Sequence, residues 1–197
     1  MVAKCFKKIL LLLFITGAIQ ANAQEGKKSE LQQWKDFIEN ARLIARQERH
    51  LMDSIVHIKA ENALQRKEFV LESDELTLKH GEHGYVNSTT NFIALHDGRA
   101  TVQISPFQSG GGPNGVGGIT VEGTPTGLKM KTDKKGIPRL SMNVTGNGIS
   151  AQVTVTLSPS DNRATATIIP NFNSLNVTLD GQLVPFKESS VFKGTTF

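Results

Sequence analysis

From Phe69 onward the chain alternates between apolar and polar residues. Gln103 separates Val102 from Ile104, and Leu140, Met142 and Val144 alternate with Ser141, Asn143 and Thr145. Ile149, Ala151, Val153, Val155 and Leu157 alternate with Ser150, Gln152, Thr154 and Thr156. A period of two sends successive side chains to opposite faces, so each run reads as a strand with one buried and one wetted side. Turn chemistry lies between the runs: His80-Gly81-Glu82-His83-Gly84, Asp97-Gly98, Asp133-Lys134-Lys135-Gly136, Asn147-Gly148 and Asp161-Asn162. Asp-Gly and Asn-Gly favour tight hairpins because these residues tolerate positive φ. The connections are too short for crossover helices, which excludes a parallel sheet. The pattern predicts a mainly β (α+β) fold, an antiparallel meander of about nine strands curved or closed into a barrel.

The period is different before Phe69. Ser29 to Arg66 contains no Gly or Pro and is rich in Glu, Gln, Arg, Leu and Ala, all good helix formers. Apolar residues recur by threes and fours at Phe37, Ala41, Ile44, Leu51, Ile55 and Ile58, widened by Trp34 and Ile38, whereas Glu48 and Asn62 interrupt the stripe. An unbroken helix of this length would run about 55 Å. The reading is therefore a long amphipathic helix interrupted near Glu48–Asp53, its second half (Leu51, Ile55, Ile58) packed on the β domain. Pairing of the first half with a second copy, as a coiled coil, is the alternative.

The first residues have the three parts of a secretory signal peptide. Lys4, Lys7 and Lys8 precede the apolar run Ile9–Ile15, and Ala21-Asn22-Ala23 supplies small residues at the cleavage position. The expected division is 1–23 cleaved signal, 24–66 helical segment and 67–197 β domain, with export to the periplasm or beyond. The apolar run is shorter than the roughly 20 residues that span a bilayer, so no permanent membrane anchor is expected.

Cleavage changes the charge reading. The whole chain carries +4, from 22 Lys and Arg against 18 Asp and Glu, but three of those lysines lie in the signal segment, leaving 19 against 18. A near-neutral domain gives no reason to expect a nucleic-acid partner, which calls for a basic face. Cys5, the sole cysteine, also lies in the signal segment, so the remainder offers no thiol nucleophile, disulfide or thiolate metal site. The polar strand face, rich in Thr, Gln, Ser and Asn, argues against an outer-membrane barrel, whose outer face is apolar.

The most unusual local feature is the Gly-rich segment 109–118, and its residues Gly112, Pro113, Asn114 and Gly115 are the candidate binding residues. It lacks the Lys-Ser/Thr of a phosphate loop and leads into a strand instead of a helix, so no nucleotide cofactor is expected. His80 and His83 flank a turn and His96-Asp97 lies in the next; they read as solvated turn residues, with no metal site expected. His50 and His57 read as surface positions on the helix. Glu72 and Asp74 would share one face of a strand, where a carboxylate pair could form. Lys129, Lys131, Lys134, Lys135 and Arg139 make a basic hairpin, suited to keeping a sheet edge solvated.

The runs Phe69-Val70-Leu71-Glu72-Ser73-Asp74, Thr90-Asn91-Phe92-Ile93, Val102-Gln103-Ile104, Asn114-Gly115-Val116-Gly117-Gly118-Ile119 and Gly181-Gln182-Leu183-Val184-Pro185 resemble the secreted Bacteroidetes proteins grouped as domain of unknown function 4251. The resemblance extends over roughly residues 45–194. It implies a Gram-negative envelope setting with an export signal ahead of one domain, and it carries no activity or catalytic residues. Some relatives look lipid-anchored, whereas this chain has no cysteine at its cleavage site. The resulting expectation is a non-enzymatic module that binds a ligand or envelope partner. The alternatives are an assembly protein dimerising through its helix and a hydrolase whose site is not visible in one dimension.

Overall fold

The computed structural model describes the backbone of residues 2–105, 118–146, 150–171, 176–191 and 193, and side chains within those ranges from Ser29 onward. The chain forms two compact units, Met1–Leu51 and Met52–Phe197. A single helix, α1, covers Val2–Arg66 without interruption. The expected break near Glu48–Asp53 is absent. Nothing in the sequence there removes a backbone hydrogen bond, and side-chain bridges one turn apart reinforce the helix, such as Gln32 to Asp36 at 3.1 Å. Within the second unit, Ile55 and Ile58 do not pack on the β domain as expected, since both are more than half exposed. Within the second unit, the part of α1 that reaches the core is its last stretch, Ala60, Ala63 and Leu64.

The strands are β1 Phe69–Leu78, β2 His83–Tyr85, β3 Phe92–His96, β4 Arg99–Ile104, β5 Ile119–Gly123, β6 Pro125–Thr132, β7 Pro138–Thr145, β8 Ser150–Leu157, β9 Arg163–Pro170 and β10 Val177–Pro185, followed by a 3₁₀ turn at Phe186–Glu188. They form one antiparallel sheet in the order β5-β4-β3-β1-β10-β9-β8-β7-β6, with β2 added alongside β1.

The two ends of that order, β5 and β6, are consecutive in the chain, with Thr124 alone between them. One extended stretch therefore pairs with β4 through its first half (Ile104↔Ile119 to Ala100↔Gly123) and with β7 through its second (Pro125↔Val144 to Thr132↔Pro138). This shared strand wraps the sheet into a nearly closed barrel with eight staves. At the corner the backbones approach so closely that a Cβ on Gly123 would lie 1.9 Å from the carbonyl oxygen of Thr145.

The barrel interior is filled. Leu140, Met142 and Val144 of β7, Val153, Val155 and Leu157 of β8, and Ala164, Ala166 and Ile168 of β9 all point into one core with Phe69, Leu71, Ile93 and Leu95. The alternation read from the sequence holds for these strands. It fails in β1 and β3, where Val70, Phe92 and Ala94 are also buried, in a second cluster on the outer face beneath Val184, Phe186 and Val191. Strands covered on both sides carry unbroken apolar runs instead of alternating ones.

Replacing Gly123 by Ala places a methyl group inside backbone van der Waals distance at the closing corner. It is expected to cost about 1–3 kcal/mol, read as a lower urea midpoint with unchanged m-value. A midpoint equal to that of the wild type would show that the corner has room.

Candidate functional site

Three elements of the second unit meet where α1 hands over to the sheet. The helix ends with Lys67 in the left-handed region (φ 62°), its N–H bonded to Leu64 O at 3.1 Å and the Glu68 N–H to Ala63 O at 3.0 Å. This paired closure of the last carbonyls fixes the direction in which Glu68 leaves the helix. The Glu68 carbonyl then accepts from the Phe186 N–H at 3.1 Å, which ties the 3₁₀ turn to the start of β1. From the other side, β3 ends at His96 and turns through Asp97 (φ 48°) and Gly98 (φ 69°) into β4. Two successive positive φ values are the mirror-image hairpin turn that Asp-Gly favours.

The His96 ring stacks on Phe186 with centroids 3.9 Å apart and planes 9° from parallel. Its Nε2 lies 3.1 Å from Asp97 Oδ2. Nδ1 is enclosed and has no hydrogen-bond partner among the described residues. Donor atoms of Glu68, His96 and Asp97 all lie within 4.8 Å of one another. Beside them opens a groove of about 330 Å³ whose walls include Lys59, Arg66, Phe186 and Lys187. Lys59 is bridged to Glu188 at 3.1 Å. The groove thus joins a fixed aromatic surface, an imidazole, carboxylates and cations.

The residues singled out from sequence fare differently. Gly112, Pro113, Asn114 and Gly115 lie outside the described residues. Glu72 and Asp74 flank Ser73 where an irregularity between Ser73 and Glu75 shifts the register against β10, and they take different partners. Glu72 accepts from Ser189 Oγ at 2.6 Å, whereas Asp74 accepts from Arg163 at 2.7 Å. His83 stays on the surface, 3.0 Å from Thr77 Oγ1, and His80 is exposed. His57, read as a surface position, is half-buried and donates through Nδ1 to the Asp161 carbonyl at 2.9 Å.

Lys131 stands opposite Arg139 in the β6–β7 hairpin, on exposed positions as expected of a solvated edge. Asp133 organises that hairpin by accepting from the N–H groups of Lys135 (2.8 Å) and Ile137 (2.9 Å). These bonds, the one from Ile137 foremost, hold its carboxyl below the usual aspartate value.

The sequence reading missed a buried polar group on the outer side of β4 and β5. Gln103 donates to Thr90 O at 3.0 Å and accepts from Thr120 Oγ1 at 3.0 Å, and Asn91 Oδ1 accepts from the Ser105 N–H at 2.7 Å. Glu122 is held below the usual glutamate value chiefly by its hydrogen bond from Lys193, with Arg99 adding to the effect. Arg163 is shifted upward by Asp74 first, and then by Glu75 and Asp180.

Residues 56–183 match the model of a family described as a domain of unknown function, DUF4251. The chain belongs to the DUF4251 family. It is also similar to a DUF4251 family protein from Bacteroides eggerthii known from a crystal structure, with 42% identity and a TM-score of 0.61, over 72% of this chain and 99% of that one. No protein of curated function matches the chain. Glu68, His96 and Asp97 fall inside the DUF4251 match, whereas Trp34, Phe37, Ile44 and Leu51 precede it.

Because the folded pKa of Glu122 is lowered, its ion pairs contribute stability above the ordinary value of 4.5 that is lost as pH falls through the folded value. Glu122→Gln is expected to flatten the acid limb of a urea-midpoint-versus-pH curve below about pH 4.5, by less than about 1 kcal/mol for so solvated a cluster. An unchanged acid limb would remove Glu122 from the account.

Proposed function

We propose that this protein is exported to the periplasm and acts there as a non-enzymatic interaction module that assembles through its N-terminal helix. The reading rests on one observation: a row of large apolar side chains on α1 faces water. Trp34 and Phe37 are each 64% exposed, Ile44 57% and Leu51 65%. They stand three, seven and seven residues apart, on a heptad register that Ala41 also occupies and Glu48 interrupts, and a 3.5-residue period is the pattern that seats one helix against another in a left-handed supercoil. In the sequence the same rhythm continues to Ile55 and Ile58. Each of these side chains, more than half open to water, gains on the order of 1–2 kcal/mol when covered.

The occupant favoured by this pattern is a second copy of the chain, since each copy brings the same heptad row. The barrel supports an interaction role in another way. With its interior filled by Phe69, Leu71, Val153, Val155 and their neighbours, the described part of the sheet presents its outer surface for binding.

Export is tested by N-terminal sequencing of protein recovered from the periplasm, which should begin at Gln24. Recovery of the full-length mass from the cytoplasm would overturn it. Assembly is tested by light scattering of the purified protein at micromolar concentration. The wild type should have twice the chain mass, and Phe37→Glu or Ile44→Glu should halve it while leaving the thermal transition of the barrel unchanged. Glu48→Leu, which restores an apolar residue to the row, should tighten the pair. A monomeric wild type would discard the reading.

A further inference from the structure

We propose that Glu68, His96 and Asp97 form a binding site for a divalent transition-metal ion of the zinc class. Each contributes one donor, and the donors lie within 4.8 Å of one another. An ion about 2.0–2.2 Å from nitrogen and oxygen ligands holds neighbouring tetrahedral ligands about 3.3–3.6 Å apart. The His96–Asp97 edge, at 3.1 Å, is already at that scale. Glu68 is exposed, so a change of its side-chain torsions closes the remaining gap without moving the backbone.

Electrostatics points the same way. Two carboxylates converge on the imidazole, and among the described residues neither is paired with a lysine or arginine, although Arg66 and Lys187 line the same groove. A dication between the carboxylates converts their repulsion into attraction. The ligand set then selects the ion. An imidazole with two carboxylates suits zinc and its neighbours, whereas calcium and magnesium favour shells built from oxygen alone. The backbone holds the arrangement before any ion arrives, through the stack on Phe186, the Asp97-Gly98 turn and the closure of α1 at Lys67. Three protein ligands leave a fourth position open. Next to it the groove supplies Arg66 and Lys187, so the ligand class that completes the shell is water or a small anion such as a carboxylate.

The test uses purified, untagged protein titrated with zinc chloride, followed by thermal midpoint, and with cobalt chloride, followed by visible absorbance. At a zinc concentration about 100 times the Kd the midpoint should rise by about 5–10 °C, and cobalt should develop an absorption band. Glu68→Gln and Asp97→Asn should each weaken binding at least tenfold. Asn accepts the left-handed backbone at position 97, and each variant removes one of two repelling charges. Without metal, both should therefore melt no lower than the wild type. His83→Ala, at the other surface histidine cluster, should bind like the wild type. The proposal is overturned by a wild type that shows neither shift nor band, by Glu68→Gln and Asp97→Asn variants that bind as it does, or by loss of binding in His83→Ala.

Discussion

A curved sheet has two edges, and each edge is a row of unpaired backbone donors and acceptors that invites another chain. Here both edges are satisfied by the same fourteen-residue stretch, Ile119–Thr132, which pairs with β4 and then, past Thr124, with β7. The rest of the fold depends on that change of partner. It draws the strands into eight staves, a number at which the interior is just wide enough to be filled by side chains. It also needs a corner where one backbone lies nearly against another, and Gly123 beside Thr145 provides it. A side chain at that position would push the shared strand away from the end of β7.

Filling the interior has a consequence for function. Once Leu140, Val153, Val155 and Leu179 occupy the space inside the barrel, polar chemistry is left to the outer surface and the ends, where the chain makes turns. The candidate site follows this rule. It is assembled from the exit of α1, the β3–β4 hairpin and the 3₁₀ turn after β10, all of them connections whose backbones are fixed by their own hydrogen bonds. The ring of His96 is held by Phe186, which is itself tied to Glu68 through the backbone.

Much of the barrel was legible in the sequence because burial on one face leaves a period of two. β7 and β8 follow it residue by residue, and the Asp97-Gly98 and Asp133–Gly136 turns fall where turn chemistry places them. The rule gives no guidance where a strand is covered twice. Phe69-Val70-Leu71 and Phe92-Ile93-Ala94 read as uniformly apolar, and the cover over their second face comes from Val184, Phe186 and Val191, more than 80 residues further along the chain. The helix was misjudged for a different reason. An apolar stripe says that a face prefers to be covered, but it does not say by what, and Ile55 and Ile58 are not covered by the sheet. Of the site, His96 and Asp97 were visible as a turn, read there as solvated residues. Glu68 was not, because one sequence carries no signal that the residue after a helix will meet a hairpin 28 positions later. The carboxylates that looked adjacent, Glu72 and Asp74, bond to Ser189 and Arg163 respectively, beside an irregularity in the register that period-two reasoning cannot see.

The two functional readings are physically separable. The helical row Trp34, Phe37, Ile44 and Leu51 belongs to the first compact unit and lies before the family match at residue 56; the donors Glu68, His96 and Asp97 belong to the second unit and lie inside the match. One reading depends on removing apolar surface from water, which salt and charge affect little. The other depends on two carboxylates and an imidazole, whose attraction for a cation is electrostatic and directional. A charge placed on the helix at Phe37 leaves the donors untouched, and removal of a carboxylate at Glu68 leaves the apolar row intact. Because no side chain is shared, loss of one property in a variant says nothing about the other.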